Sequence, residues 1–203
     1  MFANVEKYKL YLVVLGGRSK SSNVELHDVR WVVGTKIDDT FQQLRDEWFG
    51  SQQGLHIDSY LEIKYIDGYE IFISRNQPPG DPLKKNNNFL KSTIKSNKLW
   101  FVNIGGYNKN QLLEQHEFGL VVASSALEAK RIARAKFLRK SIQQHTDDCS
   151  SIISIDDCHL LNSIGNWSIK LRKDSLLRSQ KFVPDWFGFL RIDSQDPDRL
   201  PFS

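Results

Sequence analysis

Lys9-Leu10-Tyr11-Leu12-Val13-Val14-Leu15-Gly16-Gly17 returns 89 positions later as Lys98-Leu99-Trp100-Phe101-Val102-Asn103-Ile104-Gly105-Gly106. Holding that offset without gaps, Glu25 falls on Glu114, His27 on His116, Val32-Val33 on Val121-Val122, His56 on His145, Asp58 on Asp147 and Ile66-Asp67 on Ile155-Asp156. About 15 of the 65 pairs between residues 9 and 73 are identical, more than two unrelated apolar segments would share, so the chain carries one structural unit twice. Units of this size are only marginally stable alone. The copies are therefore expected to pack face to face, or against a second chain.

Within the first copy, an apolar strand over Lys9 to Leu15 and a second over Glu25 to Val33 read as a hairpin. Gly34 closes it, Thr35 is placed to cap a helix over Lys36 to Phe49, and Ile37, Phe41, Leu44 and Trp48 recur on one helical face. Tyr60 to Ile66 and Tyr69 to Ile73 alternate around Asp67-Gly68, a dipeptide suited to a two-residue hairpin turn. The second copy reads as strands at 98–104 and 114–122, a helix opened by a capping box from Ser125 to Glu128, and strands at 151–156 and 158–162. The expected class is α+β: two tandem ββαββ units, each a four-stranded sheet with one helix on a face, of β-grasp or roll type. The expected organisation is a first repeat at 1–73, a linker at 74–97 marked by Pro78-Pro79-Gly80, a second repeat at 98–172 and a tail at 173–203. The tail's Trp186-Phe187-Gly188-Phe189 is too aromatic for disorder and is expected to dock, leaving a flexible end.

Composition is that of an ordinary globular chain, 40% hydrophobic and 26% charged. No stretch is long and apolar enough for a membrane span, and Met1 to Tyr8 lacks a signal-peptide core, which points to the cytoplasm. Cys149 and Cys158 flank a hairpin expected at Asp156-Asp157, do not face each other there, and are read as reduced. The net charge of +4 is concentrated in the second half, much of it in the second helix.

The run Glu25-Leu26-His27-Asp28-Val29 into Trp31-Val32-Val33-Gly34, then Leu44-Arg45-Asp46-Glu47-Trp48-Phe49-Gly50 and Tyr65-Ile66-Asp67-Gly68-Tyr69, resembles the bacterial family catalogued as domain of unknown function 1543. The second copy carries a degraded version, with Asp157 in place of Gly68 and Lys136-Phe137-Leu138-Arg139 in place of Glu47-Trp48-Phe49-Gly50. The resemblance implies one or two copies per chain in a bacterial protein, and brings no established activity with it.

Four groups of residues could carry chemistry. Glu25 with His27, and Glu114 with His116, lie two apart on a strand and share a face, so a carboxylate could orient an imidazole as a general base. Brought together, the two pairs could ligate a metal. His27 shares its face with Val29, Trp31 and Val33, however, which places it on the expected core side as a structural histidine. Gly16-Gly17 and Gly105-Gly106 follow a strand as phosphate-cradling loops do, but lack the accompanying spacing and read as turn glycines. Lys130, Arg131 and Arg134 make the second helix basic without any nucleic-acid motif. The recurring His56/Asp58 and His145/Asp147 read as loop hydrogen bonding.

The expectation is a non-enzymatic binding or interaction module with no cofactor and no metal. Its partner is a protein or small-molecule ligand, and a homodimer is an option. The alternatives are a metal- or histidine-dependent enzyme using the Glu-x-His pairs, and a weak nucleic-acid binder using the basic helix.

Overall fold

The computed structural model describes residues 7–76, 96–106, 110–137, 154–174, 176 and 179–193. Its architecture is mostly antiparallel sheet with two helices, as the α+β class requires. The linker's centre, Cys149, His145, Asp147, Arg139 and the chain's end lie outside the described residues. No helix among the described residues is long and apolar enough to cross a membrane.

By contacts the chain divides into two compact units, Met1–Lys64 with Gln180–Ser203, and Tyr65–Ser179. In the first, β1 (Lys9–Gly17), β2 (Leu26–Gly34), β3 (His56–Glu62) and β11 (Trp186–Arg191) form an antiparallel sheet in the order β11-β3-β1-β2. Between β2 and β3 the chain makes a 3-10 turn, Ile37–Thr40, that runs into helix α1, Phe41–Glu47. The anticipated Thr35 cap is inverted. Asp39, the third residue of the turn, reaches back to accept from the Thr35 hydroxyl at 2.6 Å and from the Thr35 and Lys36 amides that precede the turn. Ile37, Phe41, Leu44 and Trp48 bury the helical face against Tyr11, Val13, Leu15, Val32 and Ile57. Leu190 and Ile192 from the tail complete this core.

The second unit holds two sheets. β6 (Lys98–Gly106), β7 (Gln115–Ala123) and β8 (Ser154–Leu161) pair in the order β7-β6-β8, covered by helix α2, Ala126–Lys136. Ser125 caps α2, its hydroxyl accepting from the Glu128 amide, while Glu128 reaches back to the Ser124 amide and hydroxyl. Ala129 and Ala133 let this helix lie close on Val102, Ile104 and Val121. The other sheet, β4-β5-β10-β9, joins a hairpin from each repeat: β4 (Tyr65–Ile66) with β5 (Tyr69–Arg75), and β9 (Ser163–Ile164) with β10 (Trp167–Lys173).

That sheet corrects the ββαββ expectation. The last two strands of each repeat do not extend their own sheet; β5 pairs with β10, with Phe72 opposite Lys170 and Ile73 opposite Ile169. The fourth strand beside β1–β3 is β11 from the tail. A two-stranded hairpin alone is marginal in water, and pairing the two hairpins makes a four-stranded sheet from both. Asp67 (φ 51°) and Gly68 (φ 78°) form the expected turn. Asp67 also accepts from the Val122 amide at 3.0 Å and pairs with Lys136, so this turn is tied to β7 and α2.

The second copy's hairpin was expected at Asp156-Asp157, but β8 runs straight through those residues and the turn falls at Gly165-Asn166. The 89-residue offset holds from β1 to the end of α1, after which matching elements stand 98 apart, β3 with β8 and β5 with β10. The segment after α2 is nine residues longer than the one after α1. The counterparts of His56 and Asp58 are therefore Ser154 and Asp156.

Candidate functional site

Gly16 stands opposite His27 in the β1–β2 pairing and opposite His56 in the β1–β3 pairing. Residues directly opposite share a face, so the two histidines flank a central-strand position that has no side chain. A Cβ built on Gly16 would lie 2.4 Å from His56 Nε2 and 3.0 Å from Asp58 Oδ2. The glycine leaves the space that the imidazole occupies. Gly16-Gly17 is thus not a turn: both residues lie within β1, and Trp48 lies over Gly17 as His56 lies over Gly16. Gly105-Gly106 likewise end β6, and among the described residues the positive-φ glycines are Gly54, Gly68, Gly165 and Gly188.

Asp58 enters the same cluster through an irregularity. Ile57 pairs with Leu15 and Ser59 with Val14, leaving Asp58 as the bulged residue that opposes nothing on β1. A bulge re-aims a side chain without ending the strand. Its Oδ1 lies 3.2 Å from His56 Nε2 and its Oδ2 lies 3.2 Å from His27 Nε2. Glu25 spans the same two rings, 3.4 Å from His56 and 3.8 Å from His27.

His56 is 2% exposed and stacks with Phe189 of β11, ring centroids 4.1 Å apart. Its Nδ1 lies 2.8 Å from the Gly54 carbonyl, which can only accept, so Nδ1 carries a proton, and Nε2 is turned to the carboxylates. The Gly54 amide in turn donates to Asp193 Oδ2 at 2.8 Å, and Arg191 donates to the same carboxylate. The Arg191 hydrogen bond holds the Asp193 carboxyl below the usual carboxylate range, assisted by the Gly54 amide and opposed by partial burial. The order Arg191, Asp193, Gly54, His56 fixes the ring's tautomer and direction. Its tail members carried no signal in the sequence beyond an aromatic cluster expected to dock.

His27 and Glu25, by contrast, are open, with side chains 53% and 41% exposed. The expectation that His27 faces the core is corrected: α1 covers the face bearing Val32 and Leu26, and His27 lies on the other one. In the second repeat, Glu114 and His116 keep a 3.8 Å approach, but Ser154 stands opposite Gly105 where His56 would be. The structure thus adds His56 and Asp58 to one Glu-x-His pair, and among the described residues the four-residue set stands on the first repeat. Among the described residues no three His, Cys, Asp or Glu side chains are grouped to hold a metal ion as they stand; each of the two carboxylates spreads its oxygens over both imidazoles.

Arg131 and Arg134 are exposed on α2, whereas Lys136 is engaged by Asp67. Cys158 is free and partly buried, and that burial pushes its thiol above the usual range, with Lys130 opposing.

Sheets and helices that recur in two copies, with a histidine–carboxylate cluster built on the first, define a tandem α+β repeat protein. The family model described as Domain of Unknown Function (DUF1543) matches residues 22–73 and again 111–161, and the chain belongs to that family, in two tandem copies. Among solved structures, the chain is similar to the crystal structure of a protein Il1583 from Idiomarina loihiensis, with a TM-score of 0.64 and 32% identity over 91% of this chain and 97% of that one. Comparison with curated proteins found no match.

Proposed function

We propose that the chain is a non-enzymatic binding module whose recognition site is the Glu25, His27, His56 and Asp58 cluster over Gly16. The observation that carries this reading is the contrast within the cluster: His56 is buried and locked from behind, while His27 and Glu25 are open to an incoming ligand. A rigid base with an adaptable rim suits recognition. Both imidazoles are engaged by carboxylates, and neither is aimed at a serine, threonine or cysteine nucleophile among the described residues, which favours binding over nucleophilic catalysis. A small-molecule partner in a bacterial cytosol goes with this reading. Nothing comparable supports nucleic acid on α2, where one of the basic side chains already serves Asp67.

Ligand-observed NMR with a panel of amino acids, dicarboxylates, nucleotides and divalent metal salts tests the reading. It expects at least one binder whose signal disappears in His27→Ala. Binders that all ignore His27→Ala, or a panel compound that is converted to product, would overturn it.

A further inference from the structure

We propose that the same cluster binds one divalent transition-metal ion of the zinc type, through His27 Nε2, His56 Nε2 and one oxygen each of Glu25 and Asp58. This rests on the site assigned above and names its ligand. Two imidazoles and two carboxylates form a nitrogen–oxygen donor set suited to zinc, cobalt or nickel. The neighbouring donor separations are 3.2, 3.2, 3.4 and 3.8 Å. Donors about 2.0–2.2 Å from a tetrahedral ion stand about 3.3–3.6 Å from one another; the separations here are near that range but run through both oxygens of each carboxylate, so one oxygen of each must turn inward to complete a shell.

The surroundings of His56 give an independent reason. Its Nδ1–H is spent on the Gly54 carbonyl, which leaves Nε2 facing two carboxylate oxygens. That grouping calls for a positive centre between ring and carboxylates, which either a proton on Nε2 or a bound metal ion supplies. A histidine whose far nitrogen donates to a backbone carbonyl is the usual arrangement of a metal ligand, because that bond fixes the tautomer and raises the basicity of the coordinating nitrogen. Here the carbonyl is itself held, through the Gly54 amide, by Asp193. Gly16 leaves the room above β1 that the His56 ring takes.

What must move is small and lies at the rim. Each carboxylate bridges two rings and must turn one oxygen inward, and His27 and Glu25 are exposed enough to follow. His56, fixed under Phe189, is the stationary ligand. The sequence alone points to no metal and to His56 in a loop, which does not place this ring beside His27. Ser154 at the His56 position of the second repeat predicts one ion per chain, not two.

The experiment is titration of the untagged full chain, first stripped with a chelator, with zinc chloride by calorimetry and with cobalt chloride by visible absorption. The expected result is one equivalent of zinc per chain and cobalt bands of a four-coordinate nitrogen–oxygen site. His56→Ser, which copies the second repeat, and the exposed His27→Ala should each weaken binding by at least about 100-fold, with circular dichroism showing both variants folded. His116→Ala should change nothing. Absence of stoichiometric zinc binding, or binding lost equally in His116→Ala and unaffected in His27→Ala, overturns the proposal. A panel compound that needs His27 while zinc does not bind would sink the metal and leave the binding-module reading standing.

Discussion

Replacing Gly16 with Ala places a methyl carbon 2.4 Å from His56 Nε2 and 2.8 Å from its Cε1, against a ring that is 2% exposed and stacked on Phe189. The strand's φ is ordinary, so the whole cost is the collision. His56 cannot retreat without giving up its bond to the Gly54 carbonyl. Overpacking of a filled interior costs about 1–3 kcal/mol, and the lost hydrogen bond adds about 1 kcal/mol. We expect a destabilisation of about 2–4 kcal/mol by urea denaturation, or a fall of roughly 4–16 °C in Tm for a chain of this length. The source can be isolated by a double-mutant cycle. In a His56→Ser background, Gly16→Ala should lose most of its effect, a coupling of about 1–3 kcal/mol. If Gly16→Ala costs under about 0.5 kcal/mol, or costs the same with and without His56, the account of why the central strand carries glycine here is wrong.

Leu44→Ala, at a fully buried position of α1, should cost about 2–5 kcal/mol in the same urea assay; a smaller loss would mean the α1 core is not packed as described. Burial first, and the Glu62 carboxylate next, push the Tyr11 phenol up to about 12. A folded value above the unfolded one of about 10 means that its contribution is complete below that pH and is lost as pH rises towards the folded value. Unfolding midpoints should therefore decline between roughly pH 10 and 12, less steeply in Tyr11→Phe. Asp193 has the opposite sign: its depressed folded value gives stability above the ordinary carboxylate range that is lost as pH falls through the folded value. Asp193→Asn should flatten the acid limb below about pH 4, and an unchanged limb would remove Asp193 from the network behind His56. In a Cys149→Ser chain, the partly buried Cys158 thiol should react with a disulfide reagent near neutral pH more slowly than a free thiol does, and faster reaction would show that burial does not govern it.

Local patterns in the sequence placed several elements well, because their causes are local. Ile37, Phe41, Leu44 and Trp48 are on one face by helical periodicity alone, and Asp67-Gly68 is a turn because few other residues accept two positive φ angles in succession. Longer relations were less legible. Between residues 56 and 73, the offset of 89 gives five identities and the true offset of 98 gives four, so counting matches could not choose between them. The sheet chooses, because Gly16 opposite His56 and Gly105 opposite Ser154 are fixed by hydrogen-bond register and by the same bulge after Ile57 and Ile155. The candidate site suffered from the same shift. Glu25 and His27 were visible as neighbours on a strand, while His56 and Asp58 were assigned to a loop.

The sequence by itself determined the duplication, every expected hairpin but the last, the helical faces and the family. These follow from identity between copies, from periodicity, and from the steric limits of single residues. The tertiary structure decided where the hairpins go, that a strand from the tail closes the first sheet, and that two histidines far apart in the chain meet over a glycine. A strand shows which of its faces is apolar, but its partner and register depend on pairing energies shared among distant segments, and those become defined only when the whole sheet forms.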